Sequence, residues 1–221
     1  MNRFLAMFFT VMVGVSAEPV CEHCASESET EELVDLVQGE WIAEEDRKVL
    51  FSAEASFEDH EGQKIQLAEA GMPLVISFIY TRCENERKCP RMTAHLGGLG
   101  KKISTSELHE KAGVVLLTYD PQFDQPEILA RYGEKKDFLV DDSATCRPAR
   151  CTNENFKEFF KEWELTVNFD RRNEVSLHGN QILVLDRLGR LARRYEILLP
   201  SHEQLLEDLE VLKSEDLGEA D

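Results

Sequence analysis

Residues 74–90, LVISFIYTRCENERKCP, constrain this chain more than any other stretch. A run of apolar and β-branched residues stops abruptly at two cysteines, Cys83 and Cys89, and Pro90 follows the second. The run reads as a buried strand, and Pro suits the first turn of a helix. A strand that delivers two thiols to a helix N-terminus is an arrangement for redox or soft-metal chemistry. The partial positive charge of the helix end favours thiolate, so cysteines placed there are expected to be depressed in pKa.

The cysteines fall into three local pairs, Cys21/Cys24, Cys83/Cys89 and Cys146/Cys151. Short loops gain little from a disulfide, so stapling a large fold does not explain all three. Met1–Ala17 carries a basic residue, Arg3, then an apolar run from Phe4 to Val15, then Ser16 and Ala17. That pattern predicts a cleaved export signal, with an uncleaved membrane anchor as the alternative. Export, most simply to a periplasm, makes disulfides permissible. The formal charge is −18, which argues against nucleic acid and anionic membranes as partners.

The 221 residues divide into the signal, an acidic extension over 18–50 with a CxxC, one domain over 51–213, and an acidic tail over 214–221. Within the domain, Ser56–Leu67 reads as a hairpin turning at His60–Gly62. Buried strands are expected at 73–80 and Val114–Tyr119, with a helix over Cys89–Ile103 between them. The glycines at 97, 98 and 100 fit no phosphate-binding fingerprint and point to close packing or a helix end. Asp124 is expected to cap a helix opening at Pro126-Glu127. A short strand is expected at Phe138–Val140, then a loop holding Cys146 and Cys151. Asn153–Trp163 has apolar residues at helical spacing. Ile182–Leu185 and Leu191–Tyr195 flank a turn, and Ser201 opens a last helix to about Leu212. Strands alternating with helices predict an α/β thioredoxin-like fold, a central mixed sheet flanked by helices.

Three segments resemble the Sco/SenC family of copper chaperones. The first is Ser77–Cys83 followed by Cys89-Pro90. The second is Tyr119-Asp120-Pro121-Gln122-Phe123-Asp124-Gln125-Pro126-Glu127. The third is His178-Gly179-Asn180-Gln181-Ile182 with Asp186-Arg187-Leu188-Gly189-Arg190. The resemblance implies one copper ion, Cu(I) or Cu(II), held by Cys83, Cys89 and His178. It also implies a role in metallating the copper centre of cytochrome oxidase or a related cuproenzyme, or in reducing its thiols. This chain departs from the family in having five residues between the cysteines where the family has three. The longer loop is expected to carry the second thiol as far as one turn into the helix.

The donor set is compatible with this independently, since thiolates favour Cu(I) and an added imidazole accommodates Cu(II). Zinc accepts the same ligands. His178 read alone is an ordinary loop histidine. However, the chain has no proline between Pro148 and Pro200, so the proline that faces the dithiol in thioredoxin-type oxidoreductases is missing. The main alternative function is a metal-independent thiol–disulfide oxidoreductase using Cys83 and Cys89 as a redox pair. Asp120, at a strand end, is either a turn residue or a partner-docking residue. Cys21 and Cys24 are either an auxiliary copper or redox pair or a simple disulfide. Cys146 and Cys151 are expected to form a loop disulfide. His60, His95, His109 and His202 read as turn and surface residues.

Overall fold

The computed structural model of the protein describes residues 39–68, 70–139, 145–196 and 199–218. The expected signal and the Cys21/Cys24 pair lie outside the described residues. Among the described residues, ten strands and four α-helices follow in chain order. They are β1 (Glu40–Trp41), β2 (Phe57–Asp59), β3 (Lys64–Ile65), β4 (Leu74–Ile79) and α1 (Cys89–Ser104), then β5 (Gly113–Thr118), α2 (Pro126–Lys135), β6 (Cys146–Cys151) and α3 (Phe156–Glu162). The chain continues through β7 (Val167–Phe169), β8 (Val175–His178), β9 (Ile182–Leu185), β10 (Leu191–Tyr195) and α4 (His202–Gly218).

The main sheet runs β1-β10-β9-β4-β5-β6-β2-β3, and β7 and β8 form a separate hairpin. β4, β5 and β6 are parallel, whereas β9 lies antiparallel to β4 and β2 antiparallel to β6. This is the mixed sheet of a thioredoxin-like fold. β4 is buried along its whole length, as its unbroken apolar run requires. Its period of two still sorts the side chains. Val75 and Ile79 enter the core under α1, α2 and α4, and Ile76 and Phe78 enter the core on the other face. The second core gathers Phe156, Phe159 and Phe160 from α3 and Trp163 just after it, with Trp163 4.5 Å edge-on from Phe51.

Several expectations require correction. Phe138 and Leu139 form no strand, and Val140 lies outside the described residues. Cys146 and Cys151 do not sit in a loop; they are the two ends of β6, which pairs with both β5 and β2. A six-residue strand separates its ends by about 16 Å, and a disulfide needs Cα atoms within about 7 Å. The two thiols also enter cores on opposite faces of the sheet, and both are buried. The expected Cys146–Cys151 disulfide is therefore excluded. The stretch 39–50 is partly built into the domain, because Glu40 and Trp41 pair with Arg194 and Arg193 at the sheet edge. α4 begins as predicted, with the Gln204 N–H donating to Ser201 Oγ at 3.1 Å, and runs on to Gly218.

Candidate metal centre

β4 ends at Ile79, and two turns follow, one leading into Cys83 and one between the cysteines. The Cys83 N–H donates to Tyr80 O at 2.9 Å. The Lys88 N–H then donates to Asn85 O at 3.0 Å, and the Arg87 N–H to Asn85 Oδ1 at 3.0 Å. Asparagine side chains favour such local bonds, and here one absorbs the extra loop length. Cys89 is thus the first residue of α1, not one turn into it. Pro90 follows where a missing N–H costs nothing.

The third group comes from a part of the fold that the sequence pattern did not reveal. β7 and β8 form a hairpin whose turn is closed by Asp170 Oδ1, accepting from the N–H groups of Arg172 and Glu174 at 2.8 and 2.9 Å. Its signal was present in the Asn168-Phe169-Asp170 and Asn173-Glu174-Val175 flanks of a polar turn, but each strand is too short to stand out. β8 ends on His178, which is 8 % exposed. His178 Nε2 lies 3.7 Å from Cys89 Sγ. The donor atoms of Cys83, Cys89 and His178 all fall within 4.8 Å of one another. Ligands about 2.0–2.3 Å from a common ion lie at separations of this order, so the three residues fit a soft or borderline cation.

Electrostatics divides the work among the three. Cys89 is fully buried and Cys83 half-buried. Burial first, with the neighbouring Cys83 adding to it, pushes the Cys89 thiol up to about 12, despite the Tyr80 N–H that points at its sulfur from 3.3 Å. The depressed pKa expected from the helix end is therefore not found at Cys89, where desolvation outweighs the helix-end field. A cation that replaces the thiol proton would remove that penalty, which links metal binding to proton release. His178 is held below its ordinary value, first by burial and then by Lys88, against the pull of the Gly179 carbonyl. It is a neutral imidazole at neutral pH. Its Nδ1 donates to Gly179 O at 3.1 Å, which leaves the Nε2 lone pair facing the thiols. The Tyr119 ring packs 5.5 Å from the imidazole and fixes its plane.

The acidic residues of the second motif play other parts. Asp124 does not cap α2, whose first turn is preceded by Gln125 with no side-chain cap bond. Its fully buried carboxylate instead accepts the hydroxyls of Thr81 and Thr118, which ties the loop before Cys83 to the end of β5. Asp120 faces inward and pairs with Arg82 at 2.5 Å. The Arg82 guanidinium lies over Tyr80 at 5.3 Å and over Phe123 at 4.2 Å. What this ledge shows to solvent is Phe123, 44 % exposed.

A model of the SCO1/SenC family matches residues 43–214. The chain belongs to this family. It is 30 % identical over 78 residues to an SCO1 protein homolog of Bacillus subtilis (strain 168), a match spanning 38 % of that relative and 35 % of this chain. An SCO1/SenC family lipoprotein from Bacillus anthracis str. Ames superposes with a TM-score of 0.61 at 24 % identity, over 77 % of this chain and 99 % of that one. Arabidopsis thaliana ScoI with copper bound gives 0.55 at 15 % identity, covering 73 % and 96 % of the two chains. At these identities the likeness is one of fold. Among the described residues, no helix is long and apolar enough to cross a membrane.

Proposed function

We propose that this SCO1/SenC family protein is an exported copper metallochaperone. In this reading, Cys83, Cys89 and His178 hold one copper ion and pass it to the copper-centre subunit of a cytochrome oxidase or a related cuproenzyme. The observation that carries the reading is the convergence of two thiols and one neutral imidazole within 4.8 Å, from parts of the chain far apart in sequence. Family relatives from Arabidopsis thaliana, Bradyrhizobium japonicum and yeast have been solved with copper bound.

The asymmetry of the pair suits transfer. Half-buried Cys83 is the ligand a recipient thiol reaches first, and buried Cys89 with His178 retains the ion until it does. Released from copper, the two cysteines serve as a reversible dithiol. Asp120 acts in docking by holding Arg82 and Phe123 as a ledge beside Cys83. Met1–Ala17 directs export, and the acidic surface keeps the exported chain soluble.

The test is a copper(I) titration of the thiol-reduced protein against a competing chelator. One tightly held ion per chain is expected, and it should be lost in Cys83→Ser and in Cys89→Ser. A protein that binds no copper yet reduces disulfides through the same pair would establish the oxidoreductase instead.

A further inference from the structure

A basic cleft lies against the metal centre of this acidic protein. Arg87, Lys88 and Arg91 line a space of about 160 Å³ together with Asn180, Ile182 and Tyr195. Most other arginines are paired: Arg47, Arg82, Arg150, Arg190 and Arg193 each face a carboxylate. Arg87 and Arg91 are exposed and meet no carboxylate among the described residues. Asn180 Oδ1 is buried without a hydrogen-bond partner, so the cleft also asks for a donor such as a peptide N–H.

The sheet register brings one particular acidic segment to this place. Tyr195 pairs with Ile182, four residues after His178, and Glu40 pairs with Arg194. A Cβ on Gly39 would sit 3.1 Å from the Tyr195 ring. The chain therefore enters the fold beside a wall of the cleft, at the end of the sheet that carries the metal centre. The residues that precede this entry, 18–38, contain seven acidic residues, no Lys or Arg, and the pair Cys21/Cys24. From Gly39 back to Cys24 the chain can reach about 50 Å at full extension, enough for the segment to lie across a neighbouring cleft.

We propose that residues 18–38 dock on the Arg87–Lys88–Arg91 cleft and present Cys21 and Cys24 to Cys83 and Cys89 for intramolecular thiol exchange. When the second pair is a disulfide, the Cys24 thiolate attacks Cys83 Sγ, the Cys83–Cys89 bond breaks, and Cys89 leaves and takes up a proton. Cys21 then attacks Cys24 Sγ and releases Cys83. Two electrons and two protons have passed from the first pair to the second, which is returned to its metal-binding form. Tethering makes this step independent of protein concentration, and the charges aim it.

The inference goes beyond the copper reading, and its test contains no copper. A chain beginning at Glu18 with Cys21→Ser and Cys89→Ser is oxidised with diamide, and its disulfides are mapped under non-reducing conditions. A Cys24–Cys83 bond within one chain is expected as the main product. Its rate of formation, normalised to alkylation of Cys83 by iodoacetamide, should fall about tenfold in Arg87→Ser/Arg91→Ser and also at about 0.5 M salt, because three convergent charges are screened together. A rate unmoved by either change means a tether without a docking site and overturns the proposal. So does a product that forms mainly between chains.

Discussion

At Gly97, α1, the helix that begins at Cys89, runs close against the chain just past α2, and Gly97→Ala should destabilise the protein. A Cβ at this position would lie 2.7 Å from Asp137 O and 3.2 Å from Phe138 Cα, just past the end of α2. Both contacts are backbone, and Asp137 is already in the left-handed region at φ 53°, so neither side yields cheaply. An added methyl in a packed site costs about 1–3 kcal/mol, while alanine in place of glycine returns about 0.5–1 kcal/mol of helix propensity. The net expectation is a loss of about 1–2 kcal/mol. Gly98→Ala is the matched comparison: its Cβ would meet the His202 ring at 2.8 Å, and although that ring donates to His95 O at 2.8 Å, a side chain shifts more readily than backbone, so a smaller loss is expected. Urea unfolding followed by far-UV circular dichroism gives both differences. Equal or greater stability for Gly97→Ala would refute the claim that the helix contact is tight.

Two further outcomes follow from buried groups. His95 is held below its ordinary value of 6.5, first by burial and then by His202 and Arg91, with its ring 4.3 Å from the His202 ring. A depressed histidine binds fewer protons folded than unfolded. Its stabilising contribution is therefore full above about pH 6.5 and lost as pH falls below that. His95→Gln should reduce the slope of unfolding free energy against pH in that window, with the similarly depressed His178 leaving a residual slope; an unchanged slope would count against the assignment. No peptide linking Cys146 to Cys151 should appear when the protein is unfolded without reductant and mapped by mass, and such a peptide would contradict the strand placement.

The sequence was most legible where one pattern ran long enough to be unambiguous. β4, β5, α1, the β9–β10 hairpin and α3 each carry a sustained period or a marked boundary, and each lies close to where it was expected. Cys83 and Cys89 were visible as a strand–helix junction. The failures share a cause in non-local pairing. β6, with Arg147, Pro148 and Arg150 in its six residues, has poor intrinsic strand character and is extended because β5 and β2 hold it on both sides. Asp124 has the sequence position of a cap, but its two threonine partners come from β5 and from the loop before Cys83, which no local pattern reveals. His95 and His202, read as surface residues, are half-buried and stacked because α1 and α4 cross where Gly98 leaves room. The pKa of Cys89 was misread for a related reason, since a helix end can be seen in the sequence and the burial around it cannot.

The most direct test of the central claim is His178→Ala, read by copper binding and by thiol chemistry in the same preparation. Disulfide exchange needs an attacking thiolate and a leaving sulfur, both supplied by Cys83 and Cys89, and no imidazole. Cu(II) takes nitrogen donors well, so removing the one imidazole among the three ligands should cost most of the Cu(II) affinity and less of the Cu(I) affinity. The account predicts a folded variant that keeps a reversible Cys83–Cys89 disulfide and lacks any visible thiolate-to-Cu(II) charge-transfer band shown by the parent. Unchanged copper stoichiometry and spectrum would contradict the assignment of His178 as a ligand, and loss of disulfide cycling with copper binding intact would give His178 a part in the thiol chemistry and favour the oxidoreductase.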